Sequence, residues 1–123
     1  MAVPRISKED LKQQLDAGAQ PVIVDVRLKY PYEHSTVTLP GAIRLHPKAF
    51  DVTLLPRDRD IVLYDSDPDE IVSAPLVAEL VRRGYRAAAL KGGINDWVTA
   101  KLPTDTKAAP QLAPPAAPGS LKG

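Results

Sequence analysis

The sequence predicts a three-layer α/β fold in which a mainly parallel sheet of about five strands is covered by helices on both faces. Two short runs of β-branched and apolar residues, "VIVDV" (22–26) and "IVLY" (61–64), are typical of parallel strands buried on both sides. Segments with helical spacing of apolar residues alternate with these runs. Because strands that alternate with helices pair in parallel through crossover connections, we expect an α/β architecture.

The first helix is predicted from Lys8 to Ala17, since Ser7 followed by Asp10 is a helix-capping pattern and Gly18 is a stop signal. Weaker strand patterns occur at "AIRL" (42–45) and "AAAL" (87–90). The segment "IVSAPLVAELVRRG" predicts a helix that ends at Gly84. Pro75 is tolerated only in a first turn, so this helix should begin near residues 72–74.

A last helix is predicted within "GGINDWVTAKLP" (92–103), with Ile94, Trp97 and Val98 facing inward. From Pro103 onward the composition changes to five prolines and five alanines in 21 residues. Such a segment buries too little apolar surface to offset its ordering entropy. We therefore expect one folded domain at residues 1–103 and a disordered tail or linker at residues 104–123.

Composition excludes several functions. The chain has 123 residues, of which 44% are apolar, which is enough for one core. Sixteen basic and fifteen acidic residues leave a formal net charge of +1, so no overall field attracts nucleic acid. The sequence contains no cysteine, which excludes disulfides, thiolate metal ligands and a cysteine nucleophile.

No apolar run approaches the ~20 residues that cross a bilayer, and "MAVPRISKEDL" lacks the features of a secretory signal. We therefore expect no membrane insertion and a cytoplasmic location.

The segment "DSDPDE" (65–70) places four carboxylates directly after the predicted strand 61–64 and before a helix. In parallel α/β sheets, ligands bind beyond the carboxyl ends of the strands. Backbone amides at the start of the following helix favour an anion. The loop is therefore the place where a functional site is expected.

Three stretches, "VIVDVR", "LPGAIRL" (39–45) and "LKGGINDWVTAKLP" (90–103), resemble the rhodanese-like domain family in order and spacing. The last is the most specific, with a Gly-Gly pair, a Trp four residues after the second Gly, and a Leu-Pro stop. The resemblance spans about residues 6–103. It implies the rhodanese-like three-layer fold and a relationship to sulfurtransferases.

In that family, the residue immediately after the central strand is a cysteine that carries sulfur as a persulfide. The resemblance places Asp65 at this position, and a carboxylate cannot form a persulfide. The expected function is therefore a rhodanese-like domain without sulfurtransferase activity, acting as a binding or regulatory module without a cofactor. Its partner would be an unknown protein or small ligand at the loop formed by Ser66, Asp67, Pro68, Asp69, Glu70 and Ile71.

The chain departs from the family pattern in other ways. Val37 and Thr38 stand where the family usually has Gly-His, and the acidic loop should repel thiosulfate. Removal of the Asp65 carboxylate is expected to preserve the fold and to relieve repulsion from Asp67 and Asp69. Near the loop, Asp25 and Arg27 are expected to form a structural ion pair.

Two alternatives remain open for the loop. The first is a sulfurtransferase scaffold silenced at position 65, which Asp65→Cys would test. The second is a carboxylate-based site. Asp65 and Asp67 fit the start of the D-x-D motif of haloacid-dehalogenase-type phosphatases, which uses magnesium. Asp65, Asp67 and Asp69 also have the alternating spacing of a calcium loop, but Glu70 stands where such a loop needs Gly. We predict no metal site.

Overall fold

The computed structural model describes residues 3–107 of the chain. In chain order its helices and strands are β1 (Arg5–Ile6), α1 (Lys8–Asp16), β2 (Val22–Asp25), α2 (Lys29–Glu33), β3 (Val37–Thr38), β4 (Ile43–Arg44), β5 (Asp60–Tyr64), α3 (Ser73–Arg82), β6 (Arg86–Leu90), α4 (Gly93–Thr99) and β7 (Asp105–Thr106). Two short 3₁₀ helices, Pro47–Ala49 and Val52–Leu54, connect β4 to β5.

Five strands form one parallel sheet in the order β1-β6-β5-β2-β4, which confirms the predicted fold class. The central strand β5 alternates between the two faces. Ile61 and Leu63 join the core with α3, whereas Val62 and Tyr64 join the core with α1 and α4. Because both faces are covered, an uninterrupted apolar run was the correct signal for this strand.

The predicted helices are present with small changes in their ends. The Ser7 hydroxyl accepts a hydrogen bond from the Asp10 amide at 3.0 Å and caps α1, which ends at Asp16, one residue before the predicted end. Helix α3 begins at Ser73, so Pro75 lies in its first turn, where a missing amide hydrogen is tolerated.

Regular structure continues a few residues past the domain boundary predicted at residue 103, and the boundary itself stays a prediction. Strand β7 pairs antiparallel with β3, and the Lys107 amide donates to the Thr36 carbonyl at 2.8 Å. No pattern in the sequence indicates this pairing, because the two residues of β7, Asp105 and Thr106, are polar and show no apolar alternation. The rest of the predicted tail, residues 108–123, lies outside the described residues.

The predicted inward orientation of Val98 is also wrong. Ile94 and Trp97 are buried, but Val98 is 44% exposed. The short helix α4 directs one narrow side at the sheet, and Val98 lies about 100° around the helix axis from Trp97. Among residues 3–107, no helix is both long enough and apolar enough to span a membrane.

Candidate functional site

The loop between β5 and α3 lies at the carboxyl edge of the sheet, where the sequence placed the site. Asp65 follows the last residue of β5 directly and is 1% exposed. Its side chain points into the loop, because its carboxylate contacts backbone amides of residues 67, 72 and 73. A carboxylate in this position needs hydrogen-bond donors, because an unpaired buried charge is strongly unfavourable.

Three backbone amides supply those donors. The Asp67 amide donates to Asp65 Oδ1 at 2.9 Å, and the Val72 and Ser73 amides each donate to Oδ2 at 2.8 Å. The first amides of a helix lack partners within the helix, and the helix dipole favours negative charge there. We call these three amides the amide cradle. In this chain the carboxylate of Asp65 accepts all three of its hydrogen bonds.

The backbone of Asp65 connects the loop after β5 to the turn between β6 and α4. The Asp65 carbonyl accepts a hydrogen bond from the Ile94 amide at 2.9 Å. Gly93 has φ +64°, and a Cβ atom there would lie 2.5 Å from the Asp65 carbonyl oxygen. The Gly-Gly pair noted in the sequence therefore allows the start of α4 to approach the loop closely.

Glu70 has a structural role that the sequence did not reveal. It is 6% exposed and has φ 55°, in the left-handed region that is unusual for a residue with a side chain. Its Oε1 accepts from Arg5 Nε at 2.5 Å and its Oε2 from the Gly92 amide at 3.0 Å. One buried carboxylate thus joins β1, the loop and the turn before α4.

The loop exposes less negative charge than its sequence suggests. Asp65 and Glu70 are buried and hydrogen-bonded, so the outward charge comes from Asp67 and Asp69. Asp67 Oδ1 accepts from the Asp69 amide at 2.7 Å. Pro68 and Ile71 are exposed, and the Ser66 carbonyl accepts from Asn95 Nδ2 at 2.9 Å. The exposed surface of the loop is therefore a mixture of two carboxylates and the apolar side chains of Pro68 and Ile71.

The geometry gives no support to the carboxylate-based alternatives. Within residues 3–107, no three Asp, Glu or His side chains converge in a way that could hold a metal ion. Both carboxylate oxygens of Asp65 already accept amide hydrogen bonds, which compete with a nucleophilic or metal-ligating role.

Asp25 and Arg27 form the expected ion pair beside the loop, with Arg27 Nη2 2.6 Å from Asp25 Oδ2. The Tyr64 hydroxyl donates to the same Oδ2 at 2.9 Å and accepts from the Leu39 amide at 3.3 Å. Burial, and then the negative charge of Asp25, raise the pKa of Tyr64 well above its usual range. These contacts fix the carboxyl end of β2 against that of β5.

A groove with a volume of about 630 Å³ opens next to the loop. It lies between the segment around α2 and helix α4, and its lining includes Arg27, Ser66, Asn95 and Val98. Val98, whose exposure the sequence pattern did not indicate, lies in the wall of this groove.

Taken together, the fold and the loop define a parallel α/β domain that holds an anionic group in backbone amides at the start of a helix. The sequence model of the "Rhodanese-like domain" family matches residues 7–100, and the chain belongs to this family.

A sulfurtransferase of Allochromatium vinosum is 33% identical over 104 residues, which cover 82% of this chain and 94% of that protein. A tRNA sulfurtransferase of Desulfurococcus amylolyticus is 38% identical over 73 residues, but the match covers only 14% of that protein.

Solved structures share the fold. A full-length protein from Lactobacillus plantarum has a TM-score of 0.74 and 24% identity, with 84% of this chain and 88% of that chain covered. The thiosulfate sulfurtransferase of Pseudomonas aeruginosa has a TM-score of 0.70 and 23% identity over 85% of this chain and 20% of that chain.

Proposed function

We propose that this protein is a rhodanese-like domain without sulfurtransferase activity, and that it acts as a binding or regulatory module through the loop at residues 65–71. The observation that carries the proposal is the hydrogen bonding of the Asp65 carboxylate to the amides of Asp67, Val72 and Ser73. Asp65 stands at the position that the family resemblance assigns to the sulfur-carrying cysteine. An oxygen acid at that position has no sulfur atom to form a persulfide.

The charge and shape of the loop support a binding role. The side chain that fills the amide cradle is negative, so an anionic substrate such as thiosulfate meets an occupied site. The outward carboxylates of Asp67 and Asp69 favour a basic group on the partner, and the exposed Ile71 offers an apolar contact. The partner is a protein or a small ligand that carries positive charge.

A second candidate is a sulfurtransferase scaffold that is silenced at position 65. It is favoured by the intact amide cradle, because three amides that converge on one carboxylate would also stabilise a thiolate. Both candidate functions predict that the wild-type chain has no sulfurtransferase activity. They differ in whether a cysteine at position 65 would take up sulfur.

The experiment measures thiocyanate formation from thiosulfate and cyanide by the full chain. We expect the wild-type protein to match the protein-free background; turnover above it would overturn the proposal. In Asp65→Cys, a thiolate would attack the outer sulfur of thiosulfate and release sulfite. Mass spectrometry should then detect one added sulfur atom, whereas Asp69→Cys, on the exposed part of the loop, should gain none. Equal persulfide formation in both variants would show that the cradle has no special role.

A further inference from the structure

Three cationic side chains lie near the ring of Tyr32, and one of them is Arg27 of the Asp25–Arg27 ion pair. The guanidinium carbon of Arg44 lies 4.1 Å from the ring centroid, and Lys107 Nζ lies 4.2 Å from it. The guanidinium carbon of Arg27 is 5.3 Å away. These distances allow cation–π attraction. We call Tyr32 with these three cations the Tyr32 cluster.

The positive charge of the Tyr32 cluster is only partly balanced. Among residues 3–107, Asp25 is the one carboxylate within ion-pair distance of the three cations, 2.6 Å from Arg27 and 3.7 Å from Arg44. The remaining contacts are neutral carbonyl groups. Arg44 Nη1 donates to the carbonyls of Asp25 and Arg27 at 3.2 and 2.5 Å, and Lys107 Nζ donates to the Tyr32 carbonyl at 2.5 Å.

Glu33 and Asp105 are the carboxylates that lie next to the cluster along the chain. In the part of the chain that the structure describes, neither Glu33 nor Asp105 forms an ion pair with the cluster. Asp105 instead accepts a hydrogen bond from the Gly41 amide at 2.8 Å. Counted by ion pairs among residues 3–107, the cluster has three cations and one carboxylate, an excess of two positive charges.

Arg44 and Lys107 have the donors and the access that such an anion needs. The Arg44 side chain is 22% exposed, and its Nε and Nη2 donate no hydrogen bond to any residue in 3–107. Burial lowers the pKa of Arg44, although the negative charge of Asp25 opposes this effect. The Arg44 guanidinium and the Lys107 ammonium both contact the ring of Tyr32, and each is a cation that can donate to the oxygen atoms of a phosphate group.

We propose that the Tyr32 cluster is a binding site for a tetrahedral oxyanion of the phosphate class, with Arg44 and Lys107 as its ligands. The site uses β4 and the residue after β7 and no residue of the 65–71 loop, so it is independent of the function proposed for that loop.

The test is a titration of the full chain with inorganic phosphate, with sodium chloride as a control at equal ionic strength. Backbone amide chemical shifts of residues 32, 44 and 107 report the binding. We expect saturable shifts with phosphate, and an apparent Kd that is about five- to tenfold weaker in Arg44→Gln and in Lys107→Gln. The matched control is Arg82→Gln, which removes an exposed arginine on α3 and should leave the Kd unchanged.

The proposal is overturned if phosphate shifts these amides no more than chloride does, if Arg44→Gln and Lys107→Gln both bind phosphate as the wild type does, or if Arg82→Gln weakens binding as much as they do. Arg44 lies in the sheet, so Arg44→Gln carries a risk of destabilisation. Lys107→Gln changes a side chain that follows β7, and this variant decides the result if Arg44→Gln does not fold.

Discussion

The hydrogen bonds of Asp65 reverse the effect on stability that the charge of the loop led us to expect. Repulsion among Asp65, Asp67 and Asp69 suggested that loss of the first carboxylate would stabilise the chain. The structure instead gives that carboxylate three amide donors and 1% exposure. Removal would leave these amides without partners, and each buried unsatisfied group costs roughly 1–3 kcal/mol. The net effect should therefore be destabilising.

For Glu70, as for Asp65, the hydrogen bonds seen in the structure could not be predicted from the charge of the residue. Its charge was visible in the sequence, but its burial was not, because Arg5 and Gly92 come from distant parts of the chain. Sequence patterns report local preference, whereas this ion pair depends on β1 and β6 lying side by side.

Gly93 should be among the least replaceable residues near the site. We expect Gly93→Ala to lower the free energy of unfolding by more than Gly41→Ala does. Both glycines have positive φ, +64° and +68°, so the backbone penalty of about 1 kcal/mol applies to each. Only at Gly93 would the new Cβ meet another atom closely, since no atom lies within 4 Å at Gly41. Urea denaturation of both variants measures the difference, and equal losses would contradict the close approach to Asp65.

At the scale of elements, the sequence predicted what depends on local pattern. The apolar runs of β2 and β5 and the stop signals at Gly18 and Gly84 gave the strands and helix ends to within a few residues. The pairing of β3 with β7 and the short helix α2 were missed. They are too short to show periodicity and are held by tertiary contacts, such as the hydrogen bond from Gly41 to Asp105.

The contact between β2 and β5 through Asp25 and Tyr64 has a consequence at high pH. The pKa of Tyr64 is raised by burial, so the folded chain holds this proton more tightly than the unfolded chain does. The resulting stabilisation is complete below the ordinary tyrosine pKa of about 10 and is lost as pH rises above it. We expect the free energy of unfolding to fall less steeply above about pH 10 in Tyr64→Phe than in the wild type.

The comparison needs a control, because lysines titrate in the same range. Tyr30→Phe changes a tyrosine that is 73% exposed and should retain the wild-type slope. Urea unfolding at several pH values gives the slopes. Identical slopes for the two variants would show that ionisation of Tyr64 is not coupled to folding.

At the scale of the whole molecule, a net charge near zero does not show that acidic and basic side chains cluster in different places. The formal charge of +1 correctly removed any expectation of a global field. It gave no information about the outward carboxylates of Asp67 and Asp69 or the excess of cations around Tyr32. The two carboxylates lie in one loop, whereas the cations around Tyr32 come from distant parts of the chain and meet only in the folded structure.

The absence of cysteine was the most informative property of the sequence. The amide cradle shows which group the loop amides bind in this chain, namely the carboxylate of Asp65. The chain matches the rhodanese-like family model over residues 7–100, and within that match the Asp65 side chain accepts the hydrogen bonds of the loop amides. The carboxylate of Asp65 thus uses amide donors at a helix start, a kind of position that favours anions.

The most direct test of this account is the thermal stability of Asp65→Ala in the presence of formate. We expect Asp65→Ala to lose roughly 2–3 kcal/mol of stability. Sodium formate should raise its melting temperature more than sodium chloride of equal ionic strength does, because formate can enter the vacated cradle. The wild type and Asp69→Ala should respond equally to the two salts. An Asp65→Ala variant as stable as the wild type, or one on which formate and chloride act alike, would contradict the claim that the Asp65 carboxylate fills an anion site.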